Sequence, residues 1–86
     1  MNDWFVYMVR CADDSLYTGI TKDVERRTEE HNSDDGLGAK YTKPRRPVVL
    51  VYQERCESRS VATKRECEIK RFSRKEKLVL LSRGRE

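Results

Sequence analysis

Trp4-Phe5-Val6-Tyr7-Met8-Val9-Arg10-Cys11, then Ala12-Asp13-Asp14-Ser15, then Leu16-Tyr17-Thr18-Gly19-Ile20-Thr21 make up the stretch that decides the fold. Two short runs rich in β-branched and aromatic residues, either side of turn chemistry, predict a β-hairpin. Aspartate tolerates left-handed backbone and bonds its own main chain, which suits residues 13 and 14 to the turn. Alternation puts Phe5, Tyr7, Val9 and Cys11 on one face of the first strand and Trp4, Val6, Met8 and Arg10 on the other. Gly19 inside the return strand marks a bulge or a close approach by another group. Loop parity then matters. A two-residue Asp13-Asp14 turn would pair Tyr7 with Ile20 and leave Tyr7 and Tyr17 on opposite faces. A three-residue or bulged turn shifts the register by one and unites them.

Downstream, Asp23 is a good N-cap for a helix running to about Asn32. Val24, Arg27, Thr28 and His31 share one face of it at i, i+3, i+4, i+7. That face is polar for one meant to touch a sheet, so it is either half exposed or directs Arg27 and His31 into a cleft. Residues 33–47 read as a loop with two glycines, two prolines and four basic residues. Val48 to Tyr52 is a nearly continuous apolar run, expected as a central strand buried on both faces. Ser58 or Ser60 caps a second helix through about Phe72. Ser73-Arg74-Lys75-Glu76 matches a capping box and opens a third helix, which Gly84 closes.

Eighty-six residues imply one domain, 1–86, with a modest core. No apolar run approaches the length that spans a bilayer, so a soluble cytoplasmic protein with no membrane partner is expected. Cys11, Cys56 and Cys67 lack paired spacing, which argues against a disulfide framework or zinc site and for reduced thiols. Charge is lopsided: residues 1–39 hold 4 basic and 9 acidic groups, residues 40–86 hold 15 and 6. Such a basic half suits either a polyanion partner or a solvated charged surface.

Glu66 is the informative carboxylate. Ala62, Glu66 and Ile69 fall on one helical stripe, and a carboxylate on an inward stripe needs a cation. A structural ion pair with Arg27 or Lys64 would serve, and so would a metal. One carboxylate with water completing the shell suits Mg²⁺. Arg27 offers a planar fork for phosphate oxygens, or is simply solvated like Arg26. Tyr7 and Tyr17 either pack or act as general bases, and a tyrosine base needs positive charge nearby because its proton normally leaves near pH ~10. His31, the one histidine, is a reserve base or phosphate donor.

Val6-Tyr7-Met8, Tyr17-Thr18-Gly19, Asp23, Arg27, and Glu66 shortly before Ile69-Lys70, in that order, resemble the GIY-YIG endonuclease superfamily. The match is to its small stand-alone bacterial members, in which a YTGIT-D-RR-H pattern, a GAKYT loop and an E-x-x-IK helix recur together. The resemblance covers nearly the whole chain, although Val6 and Met8 make the first motif degenerate. It implies an α+β fold with a three-stranded antiparallel sheet flanked by helices, in the order β-β-α-β-α-α. It also implies hydrolysis of a DNA phosphodiester with Mg²⁺ or Mn²⁺, RNA being left open as substrate. By the same match Tyr7 and Tyr17 are the motif tyrosines, either one being the general base. Gly19 permits close approach, Arg27 stabilises phosphate charge and Glu66 holds the metal. Ile20 stands where some relatives carry a lysine, whose help Lys22 or Lys40 would replace. Lys40, Lys43, Arg45 and Arg46 would hold the backbone, with Tyr41 stacking on a base. With no recognition domain, low sequence specificity is expected, or specificity supplied by a protein partner. DNA repair is one setting for such an enzyme. The alternative is a non-catalytic nucleic-acid-binding module of the same fold.

Overall fold

The hairpin turn has three residues. Cys11 N donates to Ser15 O (2.8 Å), Asp14 N donates to Cys11 O (2.9 Å), and Asp14 sits at φ 71°. Asp14 thus occupies the left-handed position that closes such a turn, and Asp13 Oδ1 locks it by accepting from Ser15 N and Oγ. Those two bonds, joined by Arg45, hold the Asp13 carboxyl below its usual range.

The register follows from the turn. In the computed structural model, which describes residues 3–83, β1 (Trp4–Arg10) and β2 (Leu16–Thr21) pair Tyr7 with Gly19 and Val9 with Tyr17. Directly opposed residues share a face, so Tyr7 and Tyr17 lie on the same side of the sheet. The chain continues through α1 (Val24–Ser33), a 3₁₀ turn (Lys43–Arg45), β3 (Val49–Cys56), α2 (Arg59–Lys70) and α3 (Arg74–Arg83). The sheet is antiparallel in the order β2-β1-β3.

That order corrects one expectation. The apolar run at Val48 belongs to an edge strand, and β1 is central. Val6 to Val9 are all buried because β1 has strands on both sides and helices on both faces, whereas Val49 is exposed. A bulge between Met8 and Val9 absorbs the extra Val51 on β3.

The pleat sorts two cores. Val6 and Met8 pack with Cys56 and with Ala62 and Ile69 of α2, joined by Leu80 and Leu81 of α3. Tyr7, Val9 and Cys11 pack with Val24 of α1 and with Val48. Asp23 Oδ1 caps α1 by accepting from Arg26 N (3.1 Å), and Ser58 Oγ caps α2. The capping box of α3 is reciprocal: Glu76 N donates to Ser73 Oγ, and Ser73 N to Glu76 Oε1. Gly84, the expected stop of α3, lies outside the described residues. Cys11 and Cys56 are buried free thiols and Cys67 is an exposed one.

Gly19 is required by a side chain. A Cβ there would meet Tyr7 Oη at 2.7 Å and Cζ at 2.9 Å. The tyrosine ring lies across the glycine, within a sheet that cannot give way easily. Gly19→Ala should therefore destabilise the protein by about 1–3 kcal/mol, the usual cost of overpacking, read as a lowered urea midpoint. An unchanged midpoint would mean the ring is free to move.

Candidate active site

The Tyr7 ring, held across β2, meets α1 end-on. Its hydroxyl lies 2.6 Å from His31 Nε2, and His31 Nδ1 lies 2.9 Å from Thr42 Oγ1. Thr42 Oγ1 also donates to Ala39 O (3.1 Å). One protonation pattern satisfies all three contacts: His31 carries its proton on Nδ1 and gives it to Thr42, leaving Nε2 to accept from Tyr7. Tyr7, His31 and Thr42 are all essentially inaccessible to solvent. His31 is therefore an inward residue of α1, which explains the polar face of that helix. Thr42, eleven residues away on the loop, has no local sequence signal for this role.

Burial dominates the electrostatics. It pushes Tyr7 up to about 12, helped by the neighbouring Tyr17, while the Arg27 charge and hydrogen bond pull the other way and Glu66 raises it slightly. Tyr17, Arg27 and Glu66 are thus all near enough to Tyr7 for their charges to act on it. Desolvation outweighs the pull of Arg27. Burial, reinforced by Arg27, pulls His31 down to about 4.

The His31 shift has a consequence for stability. The unfolded imidazole binds a proton near 6.5 and the folded one near 4, so the unfolded state holds more protons between those values. Stability is full above 6.5 and is lost as pH falls toward 4. His31 alone should cost about 2–3 kcal/mol between pH 7 and 4.5. Urea midpoints should show that slope in the wild type, and a smaller one in His31→Gln. Equal slopes would assign the acid sensitivity to other groups.

Arg27 is partly buried, with Nη1 donating to Glu30 Oε1 (3.0 Å) and to Leu37 O. Burial works against its charge, but Glu30 and Tyr7 more than offset this, so the guanidinium stays ionised. Glu66 stands between the buried Ala62 and Ile69, with its side chain 19% exposed, and Oε2 pairs with Lys70 Nζ at 3.2 Å. Its partner is neither Arg27 nor Lys64, because Lys70 lies one helical turn along the same face.

The basic loop divides by role. Arg46 Nε donates to His31 O (2.6 Å), Nη1 to Asp35 and Nη2 to Asp34 O, pinning the loop to the end of α1. Arg45 bonds Asp13 and Tyr41 O and lies 4.0 Å from the Tyr41 ring centroid. Tyr41 stacks on Tyr17 at 5.9 Å. Lys40 and Lys43 are exposed, and neither is in an ion pair among the described residues. Lys22 lies at the opposite end of β2, against Trp4.

Among the described residues no three His, Cys, Asp or Glu side chains converge as a metal cage. The donor set is one partly exposed carboxylate whose lysine partner is half in solvent. That fits a hard cation which takes one carboxylate and otherwise water and phosphate oxygens, as Mg²⁺ does.

The β-β-α-β-α-α order around a three-stranded antiparallel sheet belongs to a class of nuclease domains. A family model described as the GIY-YIG catalytic domain matches residues 3–78, and the chain belongs to that family. Its sequence is similar to a UPF0213 protein of Staphylococcus saprophyticus, 57% identical over 84 residues, covering 98% of this chain and 100% of the relative. A UPF0213 protein of Staphylococcus aureus strain Mu3 is 59% identical over 81 residues, covering 94% and 96%. Among solved structures, a UPF0213 protein from Bacillus halodurans is 42% identical with TM-score 0.59, covering 93% of this chain and 83% of that one. A protein from E. faecalis is 40% identical with TM-score 0.64, covering 95% and 85%. No described helix is long and apolar enough to cross a membrane.

Proposed function

We propose that this protein is a metal-dependent endonuclease that hydrolyses DNA phosphodiesters with low sequence specificity. The observation that carries the reading is the chain Tyr7–His31–Thr42, a buried proton path ending beside Arg27 and Glu66. A structural cluster needs only satisfied bonds. This one also gives a phenol a neutral acceptor for its own proton.

Tyr7 is the better candidate for the base of the two tyrosines, because its hydroxyl donates to a group able to accept the proton. As the attacking water gives a proton to Tyr7 Oη, Tyr7 passes its own to His31 Nε2, and Nδ1–H stays on Thr42. Tyr17, half-buried and edge-on to His31, borders the same space and orients the water. Arg27, held by Glu30 and Leu37 O, presents its remaining N–H groups to charge developing on phosphate oxygens. Glu66 would hold Mg²⁺ or Mn²⁺, which when bound polarises the phosphate and stabilises the leaving oxygen. Lys40 and Lys43 are the loop cations available to the backbone, since Arg45 and Arg46 are committed within the protein.

The test is incubation of purified protein with plasmid and single-stranded DNA in Mg²⁺, Mn²⁺ or EDTA. Cleavage in metal and none in EDTA is expected. Binding without cleavage under every condition would replace the enzyme with a nucleic-acid-binding module.

A further inference from the structure

Most arginines near the site hold a carboxylate: Arg27, Arg45, Arg46 and Arg65 each do so. Two cations at the other end of the hairpin do not. Lys22 Nζ lies 5.4 Å from the ring centroid of Trp4, and Arg59 Cζ lies 5.7 Å from the same ring. Both residues are exposed, and neither is in an ion pair among the described residues. Asp23, next in sequence to Lys22, is engaged in capping α1. Two like charges gathered on one indole repel each other. They form a cationic site with an aromatic platform and no anion of its own.

The position says which anion. Phe5 pairs with Thr21, so Trp4 and Lys22 close the end of the hairpin remote from its turn. Trp4 shares its face of β1 with Val6 and Met8, the face covered by α2, so the site lies on the Glu66 side of the sheet. Arg59 and Glu66 stand two helical turns apart on the stripe of α2 that carries Ala62, about 10 Å. That is the length of about three nucleotides at ~3.4 Å rise per nucleotide in one strand.

We infer that Trp4, Lys22 and Arg59 form a second contact for a phosphodiester backbone, about three nucleotides from a scissile position at Glu66. This rests on the nuclease reading and extends it, turning a single reactive centre into a track along α2. The two cations meet successive phosphates, and the ring they vacate is open to a base or sugar.

Trp4 is the only tryptophan, so its emission reports on this site directly. Wild type and the double variant K22Q/R59Q are titrated in EDTA with a labelled duplex and a labelled single strand. Tryptophan emission and label anisotropy are followed across a range of salt. Wild-type emission should change as anisotropy rises. In the double variant that change should be lost, and the log–log salt slope should flatten by about 1.8 on duplex or about 1.4 on single strand, two phosphates' worth. Because both side chains are exposed, circular dichroism should be unchanged. Wild type that binds with silent emission, or equal salt slopes in the two proteins, would overturn the second contact and leave the nuclease reading standing. Wild type that neither binds nor cleaves any nucleic acid would overturn both.

Discussion

Glu66→Gln is expected to lower metal-dependent cleavage by about a thousandfold while leaving the fold intact. The change keeps the side chain's size and removes only its charge. In the fold that charge does little, because its partner is Lys70 one turn along α2 and half in solvent. Exposed i,i+4 pairs contribute about 0.3–0.5 kcal/mol, so the urea midpoint should scarcely move. In the proposed reaction the same charge would hold a cation beside Tyr7. Loss of metal-assisted stabilisation of a phosphate costs several kcal/mol, and about 4 kcal/mol is a thousandfold in rate. Lys70→Ala separates the two roles. Freed of its competing ammonium, Glu66 should need less Mg²⁺ for half-maximal cleavage. Glu66→Gln cleaving at the wild-type rate would show the activity to belong to a contaminant.

The sequence made the hairpin, the caps and the helices legible because each depends on neighbours a few residues apart. Asp23, Ser58 and the Ser73–Glu76 box all act at local spacing. Even the shared face of Tyr7 and Tyr17 reduced to one question, the parity of a turn, which Asp14 answers by adopting φ 71°. What stayed hidden depends on long-range packing. An apolar run does not say whether it is flanked on one side or two, so β3 reads as central although it lies at the edge. Arg45 and Arg46 read as phosphate ligands because their partners are a distant aspartate and the carbonyls ending α1. Glu66 reads as a partner for Arg27, Lys64 or a metal, although its ion pair is with the i,i+4 lysine, Lys70. Most consequential was the fate of Tyr7. A nearby arginine suggests an acidic phenol, but complete burial raises its pKa, and only the partnership with His31 restores a route for its proton.

That partnership supplies the sharpest expectation. His31→Gln can still accept from Tyr7 and donate to Thr42, but it cannot carry the proton onward. If Tyr7 worked as a preformed phenolate, the variant would retain most of its activity. Burial opposes a phenolate at rest, pushing Tyr7 up to about 12 and His31 down to about 4. Moving the proton from one to the other before substrate arrives would be uphill. The transfer is therefore coupled to attack, and His31→Gln should lose about 10²–10⁴-fold in rate, as Tyr7→Phe should. The two losses should not add, because both variants break one relay. The wild-type kcat/KM profile carries a further mark. His31 must be neutral to accept, so activity should hold through pH 6.5 and fall only as pH drops toward about 4. Thr42→Val, which frees the imidazole to exchange tautomers, should cost about tenfold, less than either. A loss of activity centred near pH 6.5, or a His31→Gln enzyme as fast as the wild type, would return Tyr7 to a packing role and pass the base to Tyr17.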